Sequence, residues 1–130
     1  MKSKKTTYEI GDIVFVSEYD YNNGKTGENH LFVVIDVDKN EVVPIEYFGM
    51  LVSSNINKSK ETSQYKYNEP LDKSTTNGLK TDSIVKCDQV YSIPFKNIQF
   101  KIGQVDIDDY IRFMNAYNQV LADLEAMLNS

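Results

Sequence analysis

The chain has 130 residues, enough for one domain with a buried core, and it is compositionally ordinary for a globular protein: 41% hydrophobic and 25% charged. One cysteine excludes an intramolecular disulfide and a cysteine-based metal site, and one histidine excludes a multi-histidine site. Carboxylate sites remain open, but no ligand spacing suggests one, and no motif implies a cofactor. The net charge of −5 argues mildly against a nucleic-acid binder, yet the charge is unevenly spread. Residues 106–130 carry five carboxylates against Arg112, the only arginine, whereas residues 53–101 carry eight lysines against five carboxylates. A partner feels the local field rather than the sum, so the basic middle of the chain is the part to watch. No run is long and apolar enough to cross a membrane. The basic start MKSKKTTYEI lacks the apolar segment of a signal peptide, so the expectation is a soluble, cytoplasmic protein.

Residues 1–6 are polar and are expected to form a flexible arm, followed by a single domain over 7–130. Gly11-Asp12 turns the chain into a first apolar strand, Ile13 to Val16. Ser17 to Asn29 then gives a long loop, with Asn22-Asn23-Gly24 and Gly27 suited to positive φ. It delivers His30 to an unbroken run, Leu31 to Ile35. Such a short β-branched run between turn signals predicts a strand buried on both faces. Asp38-Lys39-Asn40 suits a hairpin turn. The partner strand is Val42 to Ser54, in which Pro44 and Gly49 mark an edge or a bulge. Gln64 to Asn68 alternates enough for a strand, Pro70 to Asp82 suits a loop, and Ser83 to Ile93 suits a strand pair or one long bent strand. A single helical turn is expected over Pro94 to Ile98.

The last element is a helix over 106–129. Asp106 is a good N-cap, with Asp108 and Asp109 in the first turn, where the helix dipole favours acids. Ile107, Tyr110, Ile111, Met114, Tyr117, Leu121, Leu124 and Leu128 fall at the three-and-four spacing of an amphipathic helix. Phe113, Val120 and Met127 widen the stripe, so one side can pack on the barrel and another on a partner, with Tyr117, Val120 and Met127 as interface candidates. Many short strands followed by one helix predict a mainly β barrel or sandwich, with the strands in 7–105 and the helix at the C-terminus.

Five segments in order carry a resemblance to a known family. They are Gly11-Asp12-Ile13-Val14; His30 to Ile35; Met50 to Ser54; Gly78-Leu79-Lys80-Thr81-Asp82-Ser83-Ile84-Val85 with Gln89-Val90 after it; and Ile102-Gly103-Gln104-Val105. Together they resemble the PemK/MazF family of toxin endoribonucleases, over the whole chain after the arm. The resemblance implies a small SH3-like, strongly curved β-barrel with a C-terminal helix, usually a homodimer. Active members cut single-stranded RNA without a metal and are blocked by an antitoxin peptide. The family arginine that opens the central strand corresponds to His30, its following proline to Leu31, and its strand-ending Thr or Ser to Ser53 or Ser54.

Metal-free RNA cleavage uses the substrate 2′-OH as nucleophile and needs a base, an acid, and charge or donors for the phosphorane. Arginine is a fixed cation, whereas histidine titrates near neutrality and can transfer protons. His30 is therefore expected to supply acid–base catalysis, Ser53 or Ser54 a hydrogen bond, and Lys25 or Lys58 the charge. Lys58, Lys60, Tyr65, Lys66 and Tyr67 could form a basic, stacking surface for RNA. Each feature has a plainer account. His30 can simply open a strand, the serines can end one, and the Lys/Tyr alternation can be a solvated hairpin. The alternative function is an inactive barrel that binds a protein or nucleic acid. Asp36 and Asp38 flank a turn and carry no chemistry, and Cys87 suits a core position.

Overall fold

The structure is a computed structural model that describes residues 7–20, 26–38, 46–54 and 66–129. Six strands form one antiparallel sheet: β1 Asp12–Asp20, β2 Thr26–Val37, β3 Glu46–Ser53, β4 Asn68–Leu71, β5 Ser83–Pro94 and β6 Ile98–Gln104. Their order across the sheet is β4-β5-β3-β2-β1-β6. One helix, α1 Ile107–Leu128, follows. The expected mainly β fold with a C-terminal helix is what the chain forms. The sheet is curled, but among the described residues no ladder joins the outer strands β4 and β6, so it is not a closed barrel.

The curl follows from connectivity. β5 and β6 are joined only by the short 3₁₀ turn Phe95–Asn97, yet three strands lie between them in the sheet. In a flat sheet their axes would stand about 19 Å apart, at about 4.8 Å per strand. Four residue steps, even fully extended, reach only about 14 Å. The sheet must therefore bend until β5 faces β1. Tyr91 on β5 and Tyr19 on β1 meet edge to face at 5.4 Å. Asn97 is tied back to β1, accepting from Ser17 Oγ and donating from Nδ2 to the Glu18 carbonyl.

Bending gives the sheet two buried faces, and the Leu31–Ile35 run feeds both. Phe32 and Val34 join the inner cluster with Val14, Val16, Tyr47 and Tyr91. Val33 and Ile35 join Met50, Val85, Cys87 and Phe113 beneath the helix, with Leu31 at its margin. Tyr47 is fully buried, and its hydroxyl accepts from the Tyr8 backbone N–H at 2.9 Å. Gly49 lies on the central strand β3, where a Cβ would come within 3.0 Å of Phe32 and Ile93. The register shifts on either side of it put the extra residues on the partner strands, Ile35 on β2 and 87–89 on β5, so Gly49 lies opposite bulges in an interior strand and not at an edge. Pro44 lies outside the described residues.

Several boundaries differ from the sequence expectation. β1 runs on to Asp20 and β2 starts at Thr26, so most of the expected loop is hairpin. Of the strand expected at Gln64 to Asn68, residues 64–65 lie outside the described residues, Lys66 and Tyr67 form a turn, and the strand is Asn68–Leu71, paired with β5. Ser83–Pro94 is one long strand. The helix begins as expected: Asp106 Oδ1 accepts from the Asp109 N–H at 2.8 Å. Its first half packs Phe113 into the core, while Leu121, Leu124, Met127 and Leu128 lie exposed. Tyr117 and Val120 are half-buried. That outer half is held by Asp123, which accepts from Tyr67 Oη, Lys66 Nζ and Gln119 Nε2. These three donors hold the carboxyl down at about 2. Among the described residues no helix is long and apolar enough to cross a membrane.

The loop between β4 and β5 is fixed from within. Asn77 is buried; its Oδ1 accepts from Ser74 and Leu79 N–H groups and its Nδ2 donates to the Asp72 carbonyl. Gly103 on β6 lets the Asn77 backbone approach so closely that a Cβ there would collide with it. Gly103→Ala is expected to cost about 1–3 kcal/mol of stability by this overpacking, and Phe113→Ala about 3–5 kcal/mol by opening a cavity under the helix. Urea unfolding of each variant measures both.

Candidate functional site

His30 was expected to open its strand, but β2 starts four residues earlier, and His30 lies within it, paired with Val16 on β1. The β2–β3 ladder ends at the pair Leu31↔Val52, so His30 and Ser53, the last residue of β3, each come next to that final pair on their own strands. Strand alternation puts the His30 ring on the Phe32 face. The ring meets Phe32 and Tyr19 edge to face, each at 6.2 Å between centroids. It is half-buried, and its Nε2 is buried with no hydrogen-bond partner among the described residues. Ser53 is half-buried and Ser54 exposed.

Burial holds the His30 pKa below the ordinary 6.5, and the nearby Lys86 charge adds to that; a hydrogen bond to the Val52 backbone pulls the other way. The ring is therefore neutral at neutral pH, the form able to accept a proton. Lys86 lies half-buried on β5, paired with Leu51. It is the described cation whose charge reaches His30. Lys25, Lys58, Lys60 and Tyr65, expected to provide charge and stacking, lie outside the described residues. Lys66 and Tyr67 are engaged with Asp123 on the helix.

Tyr19, Tyr91 and Lys86 are the residues that the sequence did not point to. Tyr19 sits an odd number of residues after Val16, so simple alternation places it on the opposite face. The reason it does not stay there is at Asn29. The β1–β2 ladder skips the Ser17–Asn29 pair, and Asn29 takes a left-handed φ of 53°. Past this point the faces exchange, and Tyr19 lies across Gly27 beside His30, where a Cβ on Gly27 would collide with its ring. The Asn29–His30 step, a residue tolerant of positive φ before a strand, is the signal that could have marked the exchange.

Behind this crest lies a cavity of about 440 Å³. Phe15, Leu31, Val52 and Leu79 give it apolar walls, and Asn29, His30, Ser54, Lys80 and Thr81 border it. Arg112, the chain's only arginine, is elsewhere: it bridges Glu69 and Asp109 at 3.0 and 2.8 Å, tying the helix to β4. Cys87 is buried under the helix and its thiol is pushed up to about 12, chiefly by burial.

This arrangement defines a small β-rich fold shared with bacterial toxins of known structure. The chain matches "Mycobacterium tuberculosis toxin MazF-mt6" with a TM-score of 0.58 at 16% identity, covering 85% of this chain and 96% of that one. It matches a second structure, "Crystal structure of Mtb toxin", with a TM-score of 0.51 at 16% identity, covering 78% and 97%. A comparison with curated proteins gives no match. The family model of the PemK-like, MazF-like toxins of type II toxin–antitoxin systems matches residues 9–121, and the chain belongs to that family.

The depressed His30 pKa has a defined sign. The unfolded chain takes up its proton as pH falls through the ordinary 6.5, while the folded ring resists it. Stability must therefore decline as pH drops below that value. A His30→Gln variant is expected to lose less stability than wild type between neutral pH and about pH 5. NMR titration of the lone imidazole should give a midpoint below 6.5 that moves upward in Lys86→Met.

Proposed function

We propose that this toxin is an endoribonuclease that cuts single-stranded RNA without a metal ion. The observation that carries the reading is His30: a neutral, half-buried imidazole with an unpartnered Nε2, where the β2–β3 ladder of a MazF-like fold ends. In its neutral form His30 takes the proton of the substrate 2′-OH. The 2′-oxygen attacks phosphorus, the bond to the 5′-oxygen breaks, and that oxygen takes a proton from solvent water, while the protonated His30 returns its own to solvent. The products are a 2′,3′-cyclic phosphate and a 5′-hydroxyl. Ser53 or Ser54 donates to a phosphate oxygen. Lys86 supplies the fixed charge in the sequence-expected role of Lys25 or Lys58, and Lys58, Lys60 and Tyr65 extend the RNA path. The reading includes a single domain over 7–130, a cytoplasmic homodimer, and inhibition by an antitoxin peptide.

One observation favours the rival, a barrel that binds without cutting. The arginine that would anchor phosphate is replaced by His30, and Arg112 is committed to Glu69 and Asp109. A neutral imidazole holds phosphate less well than a guanidinium.

Expression in bacteria, with growth and RNA integrity followed, separates the two. The expected result is growth arrest with RNA cleavage, and cleavage of single-stranded RNA by purified protein in excess chelator. His30→Ala should lower the rate about 100-fold or more, the scale of general acid–base catalysis. A rate within a few-fold of wild type removes His30 from the chemistry. Intact RNA both in cells at high expression and in vitro leaves the binding barrel as the function.

A further inference from the structure

Phe100 is a large aromatic side chain that the fold leaves half in solvent, 51% exposed, on the outer strand β6. It is nevertheless backed by a neighbour. Its ring stacks on that of Phe15 across the β1–β6 ladder, 5.1 Å between centroids and 5° from parallel. Both residues line the cavity behind His30. One flat ring thus supports a second at the cavity edge.

The chemistry around this platform is one-sided. The described lining includes Lys80 and His30 but no carboxylate, in a chain whose net charge is −5. Lys80 and Thr81 come from the loop that Asn77 and the close approach at Gly103 hold rigid. The cation is therefore carried on a prepared backbone. At about 440 Å³ the cavity falls in the range of small-molecule sites, about 300–1,000 Å³. An aromatic platform beside a lysine and hydrogen-bonding groups suits a flat heterocycle attached to a phosphate.

We propose that this cavity is a nucleobase subsite: one unpaired base of a single-stranded RNA stacks on Phe100, and Lys80 contacts its phosphate. The proposal rests on the RNA-cleaving function given above and adds to it a place where the substrate is gripped apart from the reacting phosphate. A base must be unpaired to present its face to Phe100, so the subsite itself selects single strands. Asn29, Ser54 and Thr81 stand where they can meet the base edge.

The chain contains no tryptophan, so Phe100→Trp places a unique fluorophore on the platform. The full-length protein is titrated with a short mixed-sequence 2′-O-methyl single strand, which lacks the attacking hydroxyl. Its tryptophan emission should be quenched as the strand saturates. By anisotropy with the same labelled strand, Phe100→Ala should weaken binding about tenfold or more, with an unchanged salt slope. Lys80→Met should reduce the salt slope by about one phosphate contact. A duplex of the same sequence should compete poorly. Tight binding of the single strand with no quenching in Phe100→Trp, or with Phe100→Ala unaffected, overturns the subsite and leaves the RNA function standing. Equal competition by the duplex does the same. Failure of the unaltered protein to bind any single strand overturns both. An apolar peptide that quenches Phe100→Trp where RNA does not would assign the cavity to a protein ligand and overturn the proposal.

Discussion

The fold depends on one short connection. Phe95–Asn97 must carry the chain from β5 to β6 across a gap that a flat sheet would make too wide. Everything else follows from meeting that demand. The sheet bends, and its concave side closes on Phe32, Tyr47, Tyr91 and Ile93, while its convex side needs a cover, which α1 supplies through Phe113. Glycines occupy the places where the bend brings backbone against backbone, as at Gly103, or backbone against side chain, as at Gly49. Bulges in the β1–β6, β2–β3 and β3–β5 ladders distribute the curvature.

The candidate site lies where the β2–β3 ladder ends. There the two faces of β2 come within one residue of each other. His30 turns inward to the aromatic cluster, while Leu31 turns outward to the cavity. A polymer lying over this crest can present its backbone to one side and a base to the other. Asn29, with its left-handed backbone, makes the crest sharp. Loss of water around His30 and the charge of Lys86 act in the same direction on the ring, so its proton affinity is set by the architecture and not by a single partner.

What the sequence made legible was what local physics decides. Leu31 to Ile35 announced a strand buried on both faces, and so it is. Asp106 and the spacing from Ile107 to Leu128 announced the helix and its start. The long Ser83–Pro94 strand and the turn after it were within reach too. The misses share a cause: they depend on contacts far apart in sequence. Lys66 and Tyr67 looked like strand by alternation, but pairing with β5 selected Asn68–Leu71, Pro70 included. Tyr19 looked like loop because the exchange of faces at Asn29 is invisible to a period of two. Lys86 was one lysine among fourteen basic residues until the β3–β5 register put it within reach of His30. His30 was legible as a position, because it opens the apolar run, but not as an environment.

Cys87 carries a consequence of a different kind. It is the only thiol in the chain, fully buried between the sheet and the helix, and held protonated by a pKa pushed up to about 12. Thiol reagents attack the thiolate, so in the folded protein it is chemically silent. It becomes reactive only when α1 lifts from the sheet or the chain opens altogether. The rate of its modification is therefore a built-in clock for that opening, and it reads the least exposed part of the molecule without any introduced label.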